Sequence, residues 1–227
     1  MKNKVYRFLI MALFVLAVTF SLTACGKGNI EKYSKSIAEL RERLYAADDV
    51  DYKVRAIAGV RENPYEIDGV VAEKREFTVI TVTPAVYRPD ISYRYRVTIG
   101  DQTFEGDMLP HPFAQSVSAD IPAAAREDFT FTLIGSGERS FDMVDSVAGS
   151  VISSEKAFTI ALNKLKPELK RFREKGKLNA EIYVRLVENP IDGSGGYYWY
   201  VSFVGSGRDT VAVLLRGETG EVGAIRR

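Results

Sequence analysis

The stretch EFTVITV, residues 76–82, decides the fold assigned to the middle of the chain, because apolar and polar side chains alternate along it. A period of two places every second side chain on the same face of a strand. The stretches YRYRVTI (93–99) and DFTFTLI (128–134) alternate in the same way, and glycine-containing turns follow both. Short strands spaced about 8–12 residues apart predict an antiparallel β-sandwich of immunoglobulin-like type between residues 50 and 147.

Upstream of these strands the apolar residues follow a helical period. They recur three or four positions apart with charged residues between them: Ile30, Tyr33, Ile37, Leu40 and Leu44. This spacing predicts one amphipathic helix that ends near residues 46–48 and packs on the strands that follow. The helix and the sandwich together are expected to form a first domain, residues 30–147.

A second helical pattern begins near residue 150. Ser153 or Ser154 is suited to cap a helix, and Pro167, which has no amide hydrogen to donate, should kink or restart it. The strands predicted after this helix cover residues 180–188, 197–204, 210–216 and 222–225. The sequence therefore predicts a small domain, residues 153–227, in which a helix precedes an antiparallel meander, and the whole chain belongs to the α+β class.

Three stretches of this second domain carry a resemblance to a known family. YWYVSF (198–203), VAVLL (211–215) and ETGEV (218–222) are similar to the aromatic strand and the TGEV-type turn of PepSY and PepSY-like domains. Those domains occur in secreted bacterial proteins and protease propeptides. The resemblance implies a helix-plus-meander fold and a role in regulating a secreted peptidase, although Arg216 stands where the family commonly has an acidic residue.

The first 24 residues have the three parts of a secretory signal peptide. A basic head carries Lys2, Lys4 and Arg7, an apolar stretch covers residues 8–20, and small residues follow it. The apolar stretch is shorter than the ~20 residues that a helix needs to cross a bilayer. A cleaved signal is therefore favoured over an uncleaved transmembrane anchor.

The stretch LTACG, residues 22–26, resembles the lipobox of bacterial lipoproteins, in which an aliphatic residue and two small residues precede a cysteine. The resemblance implies cleavage before Cys25 and an S-diacylglyceryl group on its thiol, with N-acylation left open. Each buried methylene contributes about 0.8 kcal/mol, so two acyl chains attach a protein stably. Residues 25–29 would form a tether, and the protein would be anchored to the extracytoplasmic face of a bacterial membrane.

Composition limits the chemistry of the 203 residues that follow the signal. The signal holds three of the 31 basic residues and none of the 30 acidic ones, so the remainder has a formal charge of about −2. This balance gives no reason to expect nucleic acid binding. Cys25 is the only cysteine and His111 the only histidine, so no thiol–imidazole pair and no histidine pair for a metal are available once Cys25 is acylated. We expect no cofactor, and the sequence favours a non-enzymatic role.

One segment departs from this charge balance. Residues 164–177 contain seven basic and two acidic residues, a formal charge of +5. On a membrane-tethered protein such a stripe is suited to contact anionic lipid or an anionic wall polymer, but a solvated helix face is the favoured interpretation. The seven basic residues are Lys164, Lys166, Lys170, Arg171, Arg173, Lys175 and Lys177.

These features favour a membrane-anchored lipoprotein whose folded modules bind a protein, a peptide or an envelope polymer. Two alternatives remain open. One is an envelope hydrolase that uses a pair of carboxylates, although no sequence motif identifies such a pair. The other is a regulator of a secreted peptidase that acts through the C-terminal domain. Two carboxylates converging in a deep pocket would favour the hydrolase, whereas a flat or grooved surface would favour binding.

Overall fold

The computed structural model describes residues 28–67, 71–191 and 195–227. Strands account for 51% of these residues and helices for 12%. The elements are α1 (Asn29–Lys32), β1 (Ile37–Asp48), β2 (Tyr52–Glu62), β3 (Lys74–Pro84), β4 (Arg94–Ile99), β5 (Gln102–Asp107), β6 (Leu109–Pro110), β7 (Val117–Ile121), β8 (Phe129–Ile134), β9 (Glu138–Asp145), α2 (Ser154–Lys164), a 3₁₀ helix (Glu168–Phe172), β10 (Arg173–Glu174), β11 (Lys177–Leu178), β12 (Glu181–Glu188), β13 (Tyr197–Val204), a 3₁₀ helix (Ser206–Arg208), β14 (Thr210–Arg216) and β15 (Val222–Arg226).

Thirteen of these strands hydrogen-bond into one nearly closed sheet. One path through it runs β15-β14-β13-β12-β1-β2-β3-β7-β6, while β5, β4, β8 and β9 form a second path that joins the first where β9 pairs with β1. One apolar cluster is shared by β2 and β3 on one side and β4, β8 and β9 on the other, with Ile80, Phe131 and Met143 at its centre. β10 and β11 form a separate two-stranded hairpin.

The long strand β1 connects the two halves of the molecule. Its first residues pair in parallel with β12, where Ile37 lies opposite Ile182. Its last residues pair with β9, where Tyr45 lies opposite Asp145, and β2 lines its other edge in antiparallel register. β1 therefore contributes side chains to both apolar cores: Leu44 packs in the core beneath α2 and Tyr45 in the core between the sheet walls.

The predicted helix from Ile30 to about residue 48 is wrong. Only α1 is helical there, and β1 occupies most of the segment. The register of β1 shifts between Ile37 and Glu39 against β12, and between Arg41 and Arg43 against β2. Bulges of this kind interrupt strict two-residue alternation, so the apolar residues of β1 acquire a spacing that also fits a helix.

The α+β class is also wrong, because the described residues are mostly β and contain two α-helices, one of them four residues long. A single nearly closed sheet replaces the expected pairing of an immunoglobulin-like sandwich with a PepSY-like helix-plus-meander domain, and no such PepSY-like domain is seen. The physical reason is the parallel backbone pairing of β1 with β12. An isolated meander would expose the backbone groups along β12, and β1 satisfies them. The boundary between residues 147 and 153 stays a prediction.

The predicted start of α2 and the strands β12–β15 are confirmed, but the α-helix does not continue beyond Pro167 to Gly176, where a 3₁₀ helix and the β10–β11 hairpin follow instead. Ser153 caps α2 by accepting a hydrogen bond from an amide of the first turn. Phe158 stacks on Phe203 with 6.2 Å between ring centroids, and Trp199 Nε1 donates to the carbonyl of Ile152 at 3.0 Å. These contacts hold α2 against the sheet formed by β12, β13 and β14.

Candidate functional site

The basic surface consists of the side chains of Lys164, Lys166, Lys170, Arg171, Arg173, Lys175 and Lys177. It begins at the last residue of α2, continues through the first 3₁₀ helix and ends in the β10–β11 hairpin. All seven residues are exposed. Apolar residues of the same segment, Leu165, Leu169 and Phe172, are buried in the core beneath α2. Because these three side chains point inward, the charged residues between them face solvent.

The β10–β11 hairpin brings the last three cations of the basic surface together. Lys175 and Gly176 close the hairpin with φ values of 48° and 80°, both in the left-handed region. The amide of Asn179 donates to the carbonyl of Phe172 at 2.8 Å and fixes the base of the hairpin. Glycine adopts this backbone conformation without steric cost, which explains its place in the turn.

Most charges of the basic surface are not neutralised by the protein. Arg171 Nη2 lies 2.9 Å from Asp209 Oδ1, which makes it the one cation of the seven with a carboxylate within 4 Å among the described residues. Glu168, one of the two acidic residues in the segment, instead accepts from Arg227 Nε at 2.9 Å, and this hydrogen bond lowers the pKa of its carboxyl group. The five lysines therefore carry positive charge that is available to a partner.

A cavity of about 300 Å³ opens beside the basic surface. Arg171, Arg173 and Ser206 line it together with the ring of Phe172. A Cβ atom at Gly205 would lie 2.8 Å from that ring, so only glycine permits this close approach. Glu174 and Asp209 line the cavity as well, and Asp209 pairs with Arg171, so the lining is mixed in charge.

The start of the described chain is fixed to α2. The amides of Asn29 and Ile30 donate to the two carboxylate oxygens of Glu155 at 2.6 and 2.9 Å, and Asn29 Nδ2 donates to Thr159 Oγ1 at 2.9 Å. The Tyr33 ring meets Phe158 edge-on. Glu155 lies about 14 Å along the helix axis from Lys164, where the basic surface begins. The amino-terminal end and the basic surface thus share one helix.

A buried acidic cluster, formed by Glu39, Glu62 and Glu181, lies where β1, β2 and β12 meet. The three residues are 2%, 1% and 0% exposed. Glu39 accepts from Arg185 Nε at 2.6 Å and from the Tyr65 hydroxyl at 2.6 Å, and its second oxygen lies 3.0 Å from Arg41 Nε. A buried carboxylate is stable when it is paired and hydrogen-bonded in this way.

Tyr183 connects the other two carboxylates of the buried acidic cluster. Its hydroxyl donates to Glu181 and lies 3.5 Å from a Glu62 oxygen. Burial and the hydrogen bond to Glu181 raise the pKa of Tyr183, so the hydroxyl keeps its proton. The amide of Ala72 donates to Glu62 at 3.1 Å, which ties the connection between β2 and β3 over the cluster. Solvent does not reach these carboxylates, so their arrangement stabilises the strand junction instead of presenting a catalytic pair to a substrate.

Sequence reasoning missed the buried acidic cluster because its members lie far apart in the chain and no motif marks them. The available signal was weak. Glu39 and Arg41 fall within a stretch that we predicted to be helical, and Glu181 and Arg185 fall in a strand whose partner was unknown. Only the parallel pairing of β1 with β12 brings these residues together.

His111 and the two aspartates of the β1–β2 connection, Asp49 and Asp51, have local partners in the described structure. His111 is exposed, and its Nδ1 accepts from the Phe113 amide at 3.2 Å. Asp49 and Asp51 both pair with Arg139, at 2.8 and 3.1 Å. In the described part of the chain no three His, Cys, Asp or Glu side chains are grouped to hold a metal ion. Cys25 and the signal segment lie outside the described residues.

No protein-family model, curated protein or solved structure matches this chain. Across residues 28–67, 71–191 and 195–227, none of the helices has the length and apolar character needed to cross a membrane.

Proposed function

We propose that this chain is a lipid-anchored lipoprotein of the extracytoplasmic face of a bacterial membrane, and that it acts as a non-enzymatic module whose basic surface binds a polyanion of the cell envelope. The anchor is the acylated Cys25 that the lipobox-like stretch LTACG implies. The observation that carries the binding role is the basic surface, with seven exposed cations and one carboxylate partner among them.

The distribution of ion pairs supports a polyanionic partner. Elsewhere on the surface arginines are commonly matched to carboxylates: Arg88 pairs with Asp90 and Arg96 with Glu105. Lysines of the described residues have no carboxylate within 4 Å anywhere on the surface, so the basic surface is distinguished by its density, seven cations within fourteen residues, of which Arg171 is paired. A dense group of unneutralised cations repels itself, and a polyanion relieves that repulsion while it raises the association rate.

Charge reversal tests this proposal with long-chain polyphosphate as the probe and uncharged dextran as the negative control. The protein is residues 25–227 with Cys25→Ser, so that acylation plays no part. The variant Lys164→Glu/Lys170→Glu/Lys177→Glu should bind polyphosphate at least tenfold more weakly, because three attractive charges become repulsive. A tenfold loss of affinity corresponds to about 1.4 kcal/mol. Binding of the unreversed protein should weaken as salt rises, since salt screens exposed charges.

A matched control carries the same change in net charge at exposed cations on the other half of the molecule, Lys53→Glu/Arg88→Glu/Arg94→Glu. We expect this control to bind polyphosphate within about threefold of the parent, as long-range charge effects are largely screened at physiological salt. Equal losses in the two triple variants would show that net charge alone governs binding and would refute a localised site.

A further inference from the structure

We infer that the polyanion facing the basic surface is the anionic headgroup layer of the membrane that anchors the chain. The inference rests on the proposed function, because it takes Cys25 as the point of attachment. Three observations carry it: the shortness of the tether, the fixation of the amino-terminal end to the first turn of α2, and the start of the basic surface at the last residue of that helix.

The tether is shorter than the sequence suggested. We expected residues 25–29 to form it, but Asn29 and Ile30 are held by Glu155. Gly28 also lies against this carboxylate, because a Cβ atom there would come within 2.8 Å of Glu155 Oε2. Three peptide units therefore separate the Cα atoms of Cys25 and Gly28, a span of about 11 Å at full extension. The folded body begins within that distance of the acylated residue.

The docked end also limits how the body is oriented. Asn29, Ile30 and Tyr33 contact α2 at Glu155, Thr159 and Phe158, so the anchored end cannot swing freely around the molecule. The face of α2 near Glu155 is held next to the membrane surface. Lys164 lies about 14 Å further along this helix. The remaining cations follow within the next thirteen residues of the chain.

The charges of the basic surface complement an anionic leaflet. The basic surface carries seven cations, and Arg227 neutralises Glu168 within it. The potential of an anionic membrane decays over a Debye length, about 8 Å at physiological salt. At full extension the tether places Gly28 about 11 Å from Cys25, beyond one Debye length, and attraction between the lysines and the headgroups favours shorter separations. The anchor makes that contact intramolecular, so weak individual contacts are enough.

A soluble wall polymer has the same kind of charge but lacks this proximity. It must reach a surface that the tether already holds against the headgroups. The two sources of anions therefore make different predictions for the accessibility of the lysines when the chain is attached to vesicles.

The test attaches residues 25–227 to vesicles through the Cys25 thiol, the only thiol in the chain, by means of a maleimide-bearing lipid. Lysines are then acetylated for a short time and the modification at each is read by mass spectrometry. One set of vesicles contains about a third phosphatidylglycerol and the other only phosphatidylcholine. Lys53, an exposed lysine on the other half of the molecule, is the internal reference.

On the phosphatidylglycerol vesicles we expect acetylation of Lys164, Lys166, Lys170, Lys175 and Lys177 to fall at least threefold relative to Lys53, with no such fall on phosphatidylcholine. Raising the salt to about 1 M should restore modification, because the screening length drops to about 3 Å. A twenty-residue Gly-Ser insertion between Lys27 and Gly28 should weaken the protection, since a longer tether lowers the local concentration of headgroups.

Two results would overturn the inference, and they bear differently on the proposed function. If the five lysines stay as reactive as Lys53 on both kinds of vesicle but become protected when soluble polyphosphate is added, the surface binds a polyanion other than the leaflet. If neither the vesicles nor polyphosphate protects them, the proposed function fails as well. Protection that is equal on both vesicle types would indicate steric shielding by the attachment and would also overturn the inference.

Discussion

The basic surface and the buried acidic cluster are both groups of charges, but they differ in their cations and in their access to water. Five of the seven cations of the basic surface are lysines, and all seven are exposed. The buried acidic cluster uses Arg41, Arg185 and tyrosine hydroxyls, and its carboxylates are at most 2% exposed. Arginine offers a rigid fork that suits a fixed internal partner, whereas lysine is a mobile, hydrated point charge. The buried acidic cluster holds strands of the fold together, and the basic surface is available to the outside.

The largest expected difference between the two groups is in stability. Glu39→Ala removes the carboxylate that pairs with Arg41 and Arg185 and leaves two largely buried guanidinium groups without it. Loss of one partner from such a pair costs about 3–5 kcal/mol. The free energy of unfolding measured with urea should fall by that amount. Lys170→Ala, the matched change in the basic surface, should alter it by less than about 0.5 kcal/mol. Similar losses of unfolding free energy in both variants would show that the buried acidic cluster and the basic surface do not differ in their contribution to stability.

A smaller effect is expected where the amino-terminal end meets α2. Glu155→Ala removes the acceptor for the amides of Asn29 and Ile30, and hydrogen bonds to a charged acceptor contribute about 1.5–3 kcal/mol each before solvent exposure reduces them. We expect these two amides to exchange hydrogen at least tenfold faster, while the urea midpoint shifts little. Glu218→Ala, in the exposed turn before β15, is the control. Unchanged exchange at Asn29 and Ile30 would mean that Glu155 does not hold the tether.

The smallest expected effect concerns exposed ion pairs in acid. A hydrogen bond from Arg55 holds the pKa of Asp48 below its usual 3.8. The unfolded chain therefore takes up this proton at a higher pH than the folded chain does. The stability from the pair is present above pH 3.8 and is lost as the pH falls further. Because Arg55 and Asp48 are 39% and 44% exposed, the loss should stay below about 1 kcal/mol.

Unfolding free energies of the parent and of Asp48→Asn between about pH 5 and about pH 2 measure this contribution. The parent should lose slightly more stability than the variant over the range. Identical pH profiles would show that the Asp48–Arg55 pair contributes nothing.

Sequence patterns predicted what is local and missed what depends on distant pairing. The alternation in residues 76–82 fits β3, and the Ser153 cap fits α2, because both depend on neighbouring residues. The basic surface was found for the same reason, since its residues are contiguous. The fold class, the strand β1 and the buried acidic cluster all depend on the pairing of Ile37 with Ile182, and no local period reports a contact across 145 residues. Docking of the tether on Glu155 was missed likewise, because its two sides are more than 120 residues apart.

The parallel pairing of β1 with β12 also sets an order of events during biogenesis. β1, the first of the described strands, is synthesised early, yet one of its neighbours is formed by residues 181–188. Until those residues emerge, the backbone groups of β1 on that side lack their partners, and an open strand edge invites association with other chains. β1 therefore completes its pairing only after β12 has been synthesised. Bringing Ile37 and Ile182 together closes a long loop, which is slow. A chain truncated before β12 would have this edge uncovered.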